Sequence, residues 1–298
     1  MIQQYDIKTV SIDTGEVIGY REAGCGDETI LLIHGNMTSS KHWDLLMDKL
    51  TLKYKVYAVD LRGFGASSYN NRVNSLRDFS EDVNDFCEKI GIKNAVVIGW
   101  STGGGVGMYL AADHSDKVKK LILVESVGVK GYPIFKKNEE GQPIAGDFLI
   151  TKEEIEKDPV QVAPVLTAIE NKDKEFYRGL WNHVIYTHNK PESHRYEEYL
   201  EDMLTQRNLV DVDYSLVHFN ITEEFNGISK GDGSANKIEA PTLIFQGDRD
   251  YVVPFTMAED INKHIKNSRM VILKDCGHSP FVDCLNEIYE EIDKFIDM

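Results

Sequence analysis

The stretch Val96-Val97-Ile98-Gly99-Trp100-Ser101-Thr102-Gly103-Gly104-Gly105 carries an apolar, β-branched run into Gly-x-Ser-x-Gly and on into a helical pattern. Few backbones accommodate that order. A serine on a sharp turn between a buried strand and a helix is lifted clear of the chain. Glycines flank it because side chains there would strike the neighbouring strand and helix. Ser101 is therefore the first candidate nucleophile. Glycine and serine are common loop residues and the pattern also arises by chance, so its meaning rests on the elements around it and on partners elsewhere in the chain.

Those elements have a consistent grammar. Short apolar runs at 29–33, 56–59, 95–98 and 120–124 have the composition of strands buried on both faces. Between them, Leu76, Phe79, Val83, Phe86 or Cys87, and Ile90 recur at helical spacing, and 103–112 continues the same way. Alternating strand and helix implies a parallel sheet covered on both faces. Ahead of it, 7–12 and 17–21 flank Asp13-Thr14-Gly15, a hairpin turn that opens the chain with an antiparallel pair. The alternation stops after Val124. Residues 131–236 are polar and aromatic-rich, with helical stretches around 152–157, 159–170 and 196–208 and no buried strand. Pattern resumes with strands at 241–245 and 270–273 and helices at 258–265 and 285–296. The expected organisation is an α/β core formed by residues 1–130 and 237–298, interrupted by a helical insertion over 131–236. An insertion at the carboxyl edge of a parallel sheet lands over the ligand crevice, where the loops after the strands converge.

Bulk properties exclude several classes. The 298 residues carry a net charge of -16, which argues against nucleic acid or anionic membrane as a partner, because both need a basic face. The acidic residues are dispersed among apolar ones at helical spacing, as on the outer faces of amphipathic helices. Mean hydropathy is -0.34, and no apolar run approaches the roughly 18 residues of a spanning helix. Residues 1–10 lack a basic-then-apolar leader pattern. The expectation is a cytoplasmic monomer or homodimer with no membrane insertion. Cys25, Cys87, Cys276 and Cys284 form no Cys-x-x-Cys pair and read as reduced, mostly buried thiols. His42, His114, His183, His188, His194, His218 and His264 lack a second ligand at metal-binding spacing, so neither metal nor cofactor is expected.

Three further loops follow strand runs and so share the edge that carries Ser101: His34-Gly35-Asn36-Met37, Gly247-Asp248-Arg249-Asp250, and Gly277-His278-Ser279-Pro280. With these residues, the chain resembles the α/β-hydrolase superfamily over nearly its whole length, with the order serine, acid, histidine. The resemblance implies the α/β-hydrolase fold, a mostly parallel eight-stranded sheet with helices on both faces and a helical cap insertion. Acyl transfer needs a base for the serine proton, met by His278, and a carboxylate to orient that imidazole. Asp248 and Asp250 are both available. The family's G-x-x-D-x-x-x-P pattern selects Asp250, between Gly247 and Pro254, and leaves Asp248 as a loop cap or surface hydrogen bonder. Glu125, which follows the strand run ending at Val124, is a rival acid position used by some family members, and otherwise a polar residue closing a strand. The resemblance also implies a structural role for His34 and a scaffold turn at Asp60-Leu61-Arg62-Gly63-Phe64-Gly65-Ala66-Ser67. The backbone N–H groups of Asn36 and Thr102 are the expected oxyanion donors.

His34-Gly35-Asn36 followed by Thr38-Ser39-Ser40 and Trp43 is similar to the haloalkane dehalogenases, in which that asparagine amide holds halide. Those enzymes and the epoxide hydrolases attack with aspartate, whereas this elbow carries Ser101, which removes both readings. The insertion holds Phe135, Phe148, Phe176, Tyr177, Trp181, Tyr186, Tyr196, Tyr199, Tyr214 and Phe219. A minority of these is expected to touch ligand, the rest forming the core of the cap. Trp100 and Trp181 are the candidate substrate-binding residues. The expected substrate is an apolar or weakly polar carboxylic ester. The chain resembles carboxylesterases and intracellular polyhydroxyalkanoate depolymerases, which implies 3-hydroxyalkanoate oligomers or polyesters within that class. Carbon–carbon bond hydrolases, lactonases and perhydrolases share the triad. A ligand receptor or stress-signalling protein on the same fold is the reading of another class.

Overall fold

The computed structural model of the protein describes residues 5–298. The leader reading over 1–10 falls partly on the first four residues, which lie outside the described ones. Eight strands form the main sheet: β1 (Ile7–Ser11), β2 (Val17–Ala23), β3 (Thr29–Ile33), β4 (Lys55–Val59), β5 (Ala95–Trp100), β6 (Val118–Val124), β9 (Thr242–Gly247) and β10 (Ser268–Leu273). Two more, β7 (Phe135–Lys137) and β8 (Pro143–Phe148), pair separately in the insertion. The main order is β1-β2-β4-β3-β5-β6-β9-β10. β1, β2 and β4 pair antiparallel, and every pairing from β4 through β10 is parallel. The carboxyl ends of β3, β5, β6, β9 and β10 therefore share one edge, with β5 between β3 and β6.

Side-chain alternation explains why the central strands are apolar throughout. In β3, Leu31 and Ile33 pack with Leu76, Phe79 and Phe86 of the helix Leu76–Ile90 on one face. Ile30 and Leu32 meet Leu46 of the helix Asp44–Leu50 and Ile288 of the helix Leu285–Asp297 on the other. Both faces are covered, so neither alternate set can be polar. The helix Leu76–Ile90 starts at a Ser75/Asp78 capping box and ends at Gly91 with φ 82°, two local signals that fix its length.

A third cluster of buried side chains runs from Ile134 to Val217 and joins the helices Ala163–Glu170, Lys174–Val184, Ser193–Met203 and Leu209–His218. Phe219, Ile221, Ala235 and Ile238 return to the cluster on the main sheet. Several features differ from the sequence pattern. β7 and β8 form an exposed ribbon, and because β8 has no buried position it leaves no apolar alternation to read. The helices Asp44–Leu50, Lys174–Val184 and Leu209–His218 lie outside the helical stretches expected. The helix expected over 196–208 stops at Met203, since Gln206 Nε2 donates to Asn36 Oδ1 (2.8 Å), Arg207 N–H to Gly63 O (2.9 Å) and Asn208 Nδ2 to Arg62 O (2.6 Å). Those bonds pull the chain out of helix and onto the core. No helix among the described residues is long and apolar enough to cross a membrane.

The turn after β4 is pinned by one buried ion pair. Arg62 Nε and Nη2 donate to the two oxygens of Asp82, each at 2.6 Å, and Thr14 Oγ1 adds a donor at 2.8 Å. Burial pushes the Asp82 carboxyl upward even with the guanidinium beside it. Removing one partner of such a pair strands the other charge. Arg62→Ala should therefore lower the unfolding free energy by about 3 to 5 kcal/mol, read as a fall in the urea midpoint at unchanged slope.

Candidate active site

Ser101 sits between β5 and the helix Thr102–Asp113 with φ 54° and ψ -120°, a conformation that L residues seldom adopt. Backbone bonds hold it there: its N–H donates to Val124 O (3.0 Å), and its carbonyl accepts from Gly104 (3.0 Å) and Val127 (3.2 Å). The glycines are obligatory. A Cβ on Gly103 would lie 2.1 Å from Ile33 O, and one on Gly99 would lie 2.3 Å from Gly103 O. The helix thus begins against the carbonyl end of β3, which only a residue without a side chain permits. Thr102 is its first residue, so its N–H has no partner within the helix.

His278 lies in the loop after β10 and Asp250 in the loop after β9. His278 Nδ1 donates to Asp250 Oδ2 at 2.7 Å, and both side chains are buried. Asp250 Oδ1 accepts from the N–H groups of Val252 (2.7 Å) and Val253 (2.9 Å). Burial alone would raise the Asp250 carboxyl. The His278 ring and those two donors outweigh it and hold the group below the usual carboxylate range. With its proton on Nδ1, the imidazole has a free lone pair on Nε2. Ser101 and His278 line the same cavity. No hydrogen bond joins Ser101 Oγ to the ring among the described residues, and such contacts commonly tighten only when substrate is bound. Trp100 Nε1 donates to His278 O at 2.8 Å, so the residue before the serine anchors the histidine backbone.

The neighbouring polar residues separate by their contacts. Asp248, with its side chain 41% exposed, accepts from Cys276 N–H at 3.2 Å and ties the acid loop to the histidine loop. His34 Nε2 accepts from Leu61 N–H (2.9 Å), so Nδ1 carries the proton and donates to Gly35 O (2.7 Å). Burial pushes this imidazole down to about 4 despite Asp60 nearby, and it stays neutral. Glu125 ends β6 fully buried at φ 44°, its two oxygens accepting from Gly247 N–H at 2.8 and 3.0 Å. Burial first, then the adjacent Asp250, push its carboxyl far upward. It packs against Asp250. Cys276 Sγ lies 3.1 Å from Cys284 Sγ without a disulfide, and of the four free thiols Cys25 is exposed.

The cavity measures about 400 Å³ and has mostly apolar walls. Of the insertion's aromatics, Tyr132, Phe176 and Trp181 line it. Tyr177, Tyr186, Tyr196 and Tyr199 pack inside the third cluster, and Phe135 pairs with Phe148 on the β7–β8 ribbon. The rest of the roof is aliphatic: Val165, Leu180, Val184 and Leu216. Asn36 and Thr102 line the floor beside Ser101. Among its polar and aromatic lining residues, Tyr132, Gln161, Asp213 and Tyr251 were not singled out from sequence. An aspartate in an amphipathic helix carries the same signal as a solvated face, so Asp213 had nothing to mark it. Among the described residues no group of three or more His, Cys, Asp or Glu side chains is arranged to hold a metal.

The model of the alpha/beta hydrolase fold family matches residues 28–283. The chain belongs to the α/β-hydrolase family. This α/β-hydrolase is 26% identical over 261 residues to a pimeloyl-[acyl-carrier protein] methyl ester esterase of Neisseria meningitidis serogroup C, covering 85% of this chain and 87% of that one. It is also 26% identical over 273 residues to a non-heme haloperoxidase of Rhodococcus erythropolis, covering 90% and 92%. An esterase structure from Exiguobacterium antarcticum superposes with a TM-score of 0.73 over 98% of this chain and 99% of that one, at 19% identity.

Glu125 makes stability depend on pH. The unfolded chain releases this proton near pH ~4.3, while the folded protein keeps it to much higher pH. Above that point the native state binds the more protons, and stability falls as pH rises toward the folded value. Glu125→Gln keeps the acceptor for Gly247 and cannot ionise. The variant should gain stability over wild type at neutral pH, with the difference vanishing toward pH ~4; urea unfolding across that range measures it.

Proposed function

We propose that this α/β-hydrolase cleaves carboxylic esters through an acyl-enzyme on Ser101. The observation that carries the reading is the His278 ring, fixed by Asp250 through Nδ1 with Nε2 free, in the cavity where Ser101 stands on its elbow. Ser101 Oγ attacks the ester carbonyl while His278 Nε2 takes its proton, and Asp250 stabilises the imidazolium that forms. The N–H groups of Asn36 and Thr102 receive the negative charge that develops on the carbonyl oxygen. His278 then hands the proton to the departing alkoxide, which leaves as the alcohol. Water attacks the acyl-enzyme by the same route and frees the acid and Ser101. No cofactor enters the scheme.

Residues 131–236 act as the cap over this site. Trp181 forms part of the roof, and Trp100 forms a wall while holding the His278 backbone. The apolar cavity suits an uncharged or weakly polar acyl group of modest length, short 3-hydroxyalkanoate esters among them. Two findings support this reading: the esterase named among the relatives, and the depressed Asp250 carboxyl, which stays ionised for its partner.

A series of p-nitrophenyl esters of increasing acyl length tests the scheme. Ser101→Ala should lower kcat by about 10⁴ or more, and undiminished turnover would end the triad reading. Asp250→Asn should reduce kcat by about 10⁴, while Asp248→Asn, which alters one bond to Cys276, should stay within about threefold of wild type. The reverse ranking would move the acid to Asp248.

A further inference from the structure

The helix Leu209–His218 carries two aspartates on different faces. Asp211 is paired with Arg72 and Lys152 and bonded by Tyr69. Asp213, about 200° round the helix, lines the cavity that holds Ser101. Its Oδ1 accepts from Asn36 Nδ2 at 3.0 Å. Among the described residues Oδ2 has no hydrogen-bond donor, and the side chain joins no ion pair. Burial raises this carboxyl to about 7, with the Asn36 bond opposing. A carboxyl half-satisfied in an apolar cavity carries a desolvation cost. Holding Asn36 does not require one, because any neutral acceptor would serve. Asp213 faces the cavity, where a donor carried by a ligand could reach Oδ2.

We propose that Asp213 is a specificity residue whose Oδ2 accepts a hydrogen bond from a free hydroxyl on the substrate. This inference rests on the ester-hydrolase reading above. Asn36 belongs at once to the expected oxyanion loop and to the Asp213 contact, so the hydroxyl lies within a few bonds of the reacting carbonyl. A hydroxyl fits better than an ammonium. It both donates and accepts, and so matches either protonation state of a group titrating near neutrality. An ammonium only donates, and it must lose its water to enter apolar walls. The substrate class is therefore a short hydroxylated ester, with the hydroxyl on the acyl chain or on the alcohol.

Paired substrates distinguish the two sides. p-Nitrophenyl butyrate is compared with p-nitrophenyl 3-hydroxybutyrate, ethyl butyrate with 2-hydroxyethyl butyrate, and p-nitrophenyl 3-aminobutyrate serves as the cationic analogue. The reading is the kcat/KM ratio of hydroxylated to plain ester for wild type, Asp213→Asn and Asp213→Leu, with melting temperatures to establish folding. Wild type should prefer the hydroxylated member of one pair by about tenfold or more, since a site built to bond a hydroxyl is left unpaired by the analogue that lacks it. Asp213→Leu should bring that ratio to unity or below, and Asp213→Asn, which keeps an acceptor for Asn36, should fall between. If Asp213 only positions Asn36, both esters lose rate together, the ratio does not move, and the inference is overturned. A wild-type ratio of one in both pairs overturns it whether or not the variants fold, as does preference for the amino ester. Turnover of plain esters with a flat ratio removes this inference alone, whereas no turnover of any ester removes the hydrolase reading beneath it.

Discussion

The close approach of the helix Thr102–Asp113 to the carbonyl end of β3 is the constraint on which the rest of the site depends. Gly103 meets Ile33 O at a distance that admits no Cβ, and Gly99 meets Gly103 O in the same way. This contact brings the chain from β5 into a helix within one residue, and the residue at the turn takes up a left-handed backbone. Strain of this kind persists only where surrounding bonds over-determine it. Here Val124, Gly104 and Val127 supply those bonds. Parallel pairing of β3, β5 and β6 then delivers the loops of Asn36, Ser101 and Glu125 side by side.

The acid and the histidine reach the same edge from β9 and β10, and their loops are fastened to each other as well as to the elbow. Asp248 bonds the backbone ahead of His278, Trp100 bonds the His278 carbonyl, and Glu125 receives the Gly247 N–H at the root of the acid loop. Three carboxyl groups at this edge thus sit in different surroundings. Donors and the imidazole push the Asp250 carboxyl down, burial pushes Glu125 up, and Asp248 faces solvent on its outer side. Position relative to donors and to water sorts them, since the carboxyl chemistry is common to all three.

The insertion obeys weaker rules. Its core is a cluster of aromatic and aliphatic side chains, and it meets the main domain through polar contacts: Arg195 to Asp44 at 2.6 Å, Ser39 to Asp202 at 2.7 Å, and Gln206 to Asn36. The last of these continues through Asn36 to Asp213. One network therefore links the segment after the helix Ser193–Met203, the loop after β3 and the Asp213 carboxyl on the cavity wall. A change of side chain at Gln206 or Asp213 would be felt at Asn36 beside Ser101.

The sequence by itself determined the strand-helix alternation, the strands of the main sheet, the elbow, and the loops carrying Asn36, Asp250 and His278. Each leaves a local signal: an apolar run buried on both faces, a glycine where no side chain fits, a turn after a strand. Tertiary structure alone decided the remainder. The β7–β8 ribbon has no buried position and so no period to read. The helix from Ser193 ends where Gln206 and Asn208 find partners more than a hundred residues away in sequence. The upward shift of the Glu125 carboxyl comes from complete burial beside Asp250, and the place of Asp213 in the cavity comes from the packing of one helix over the sheet edge. These depend on which distant groups surround a side chain, and residue type and spacing carry no record of that.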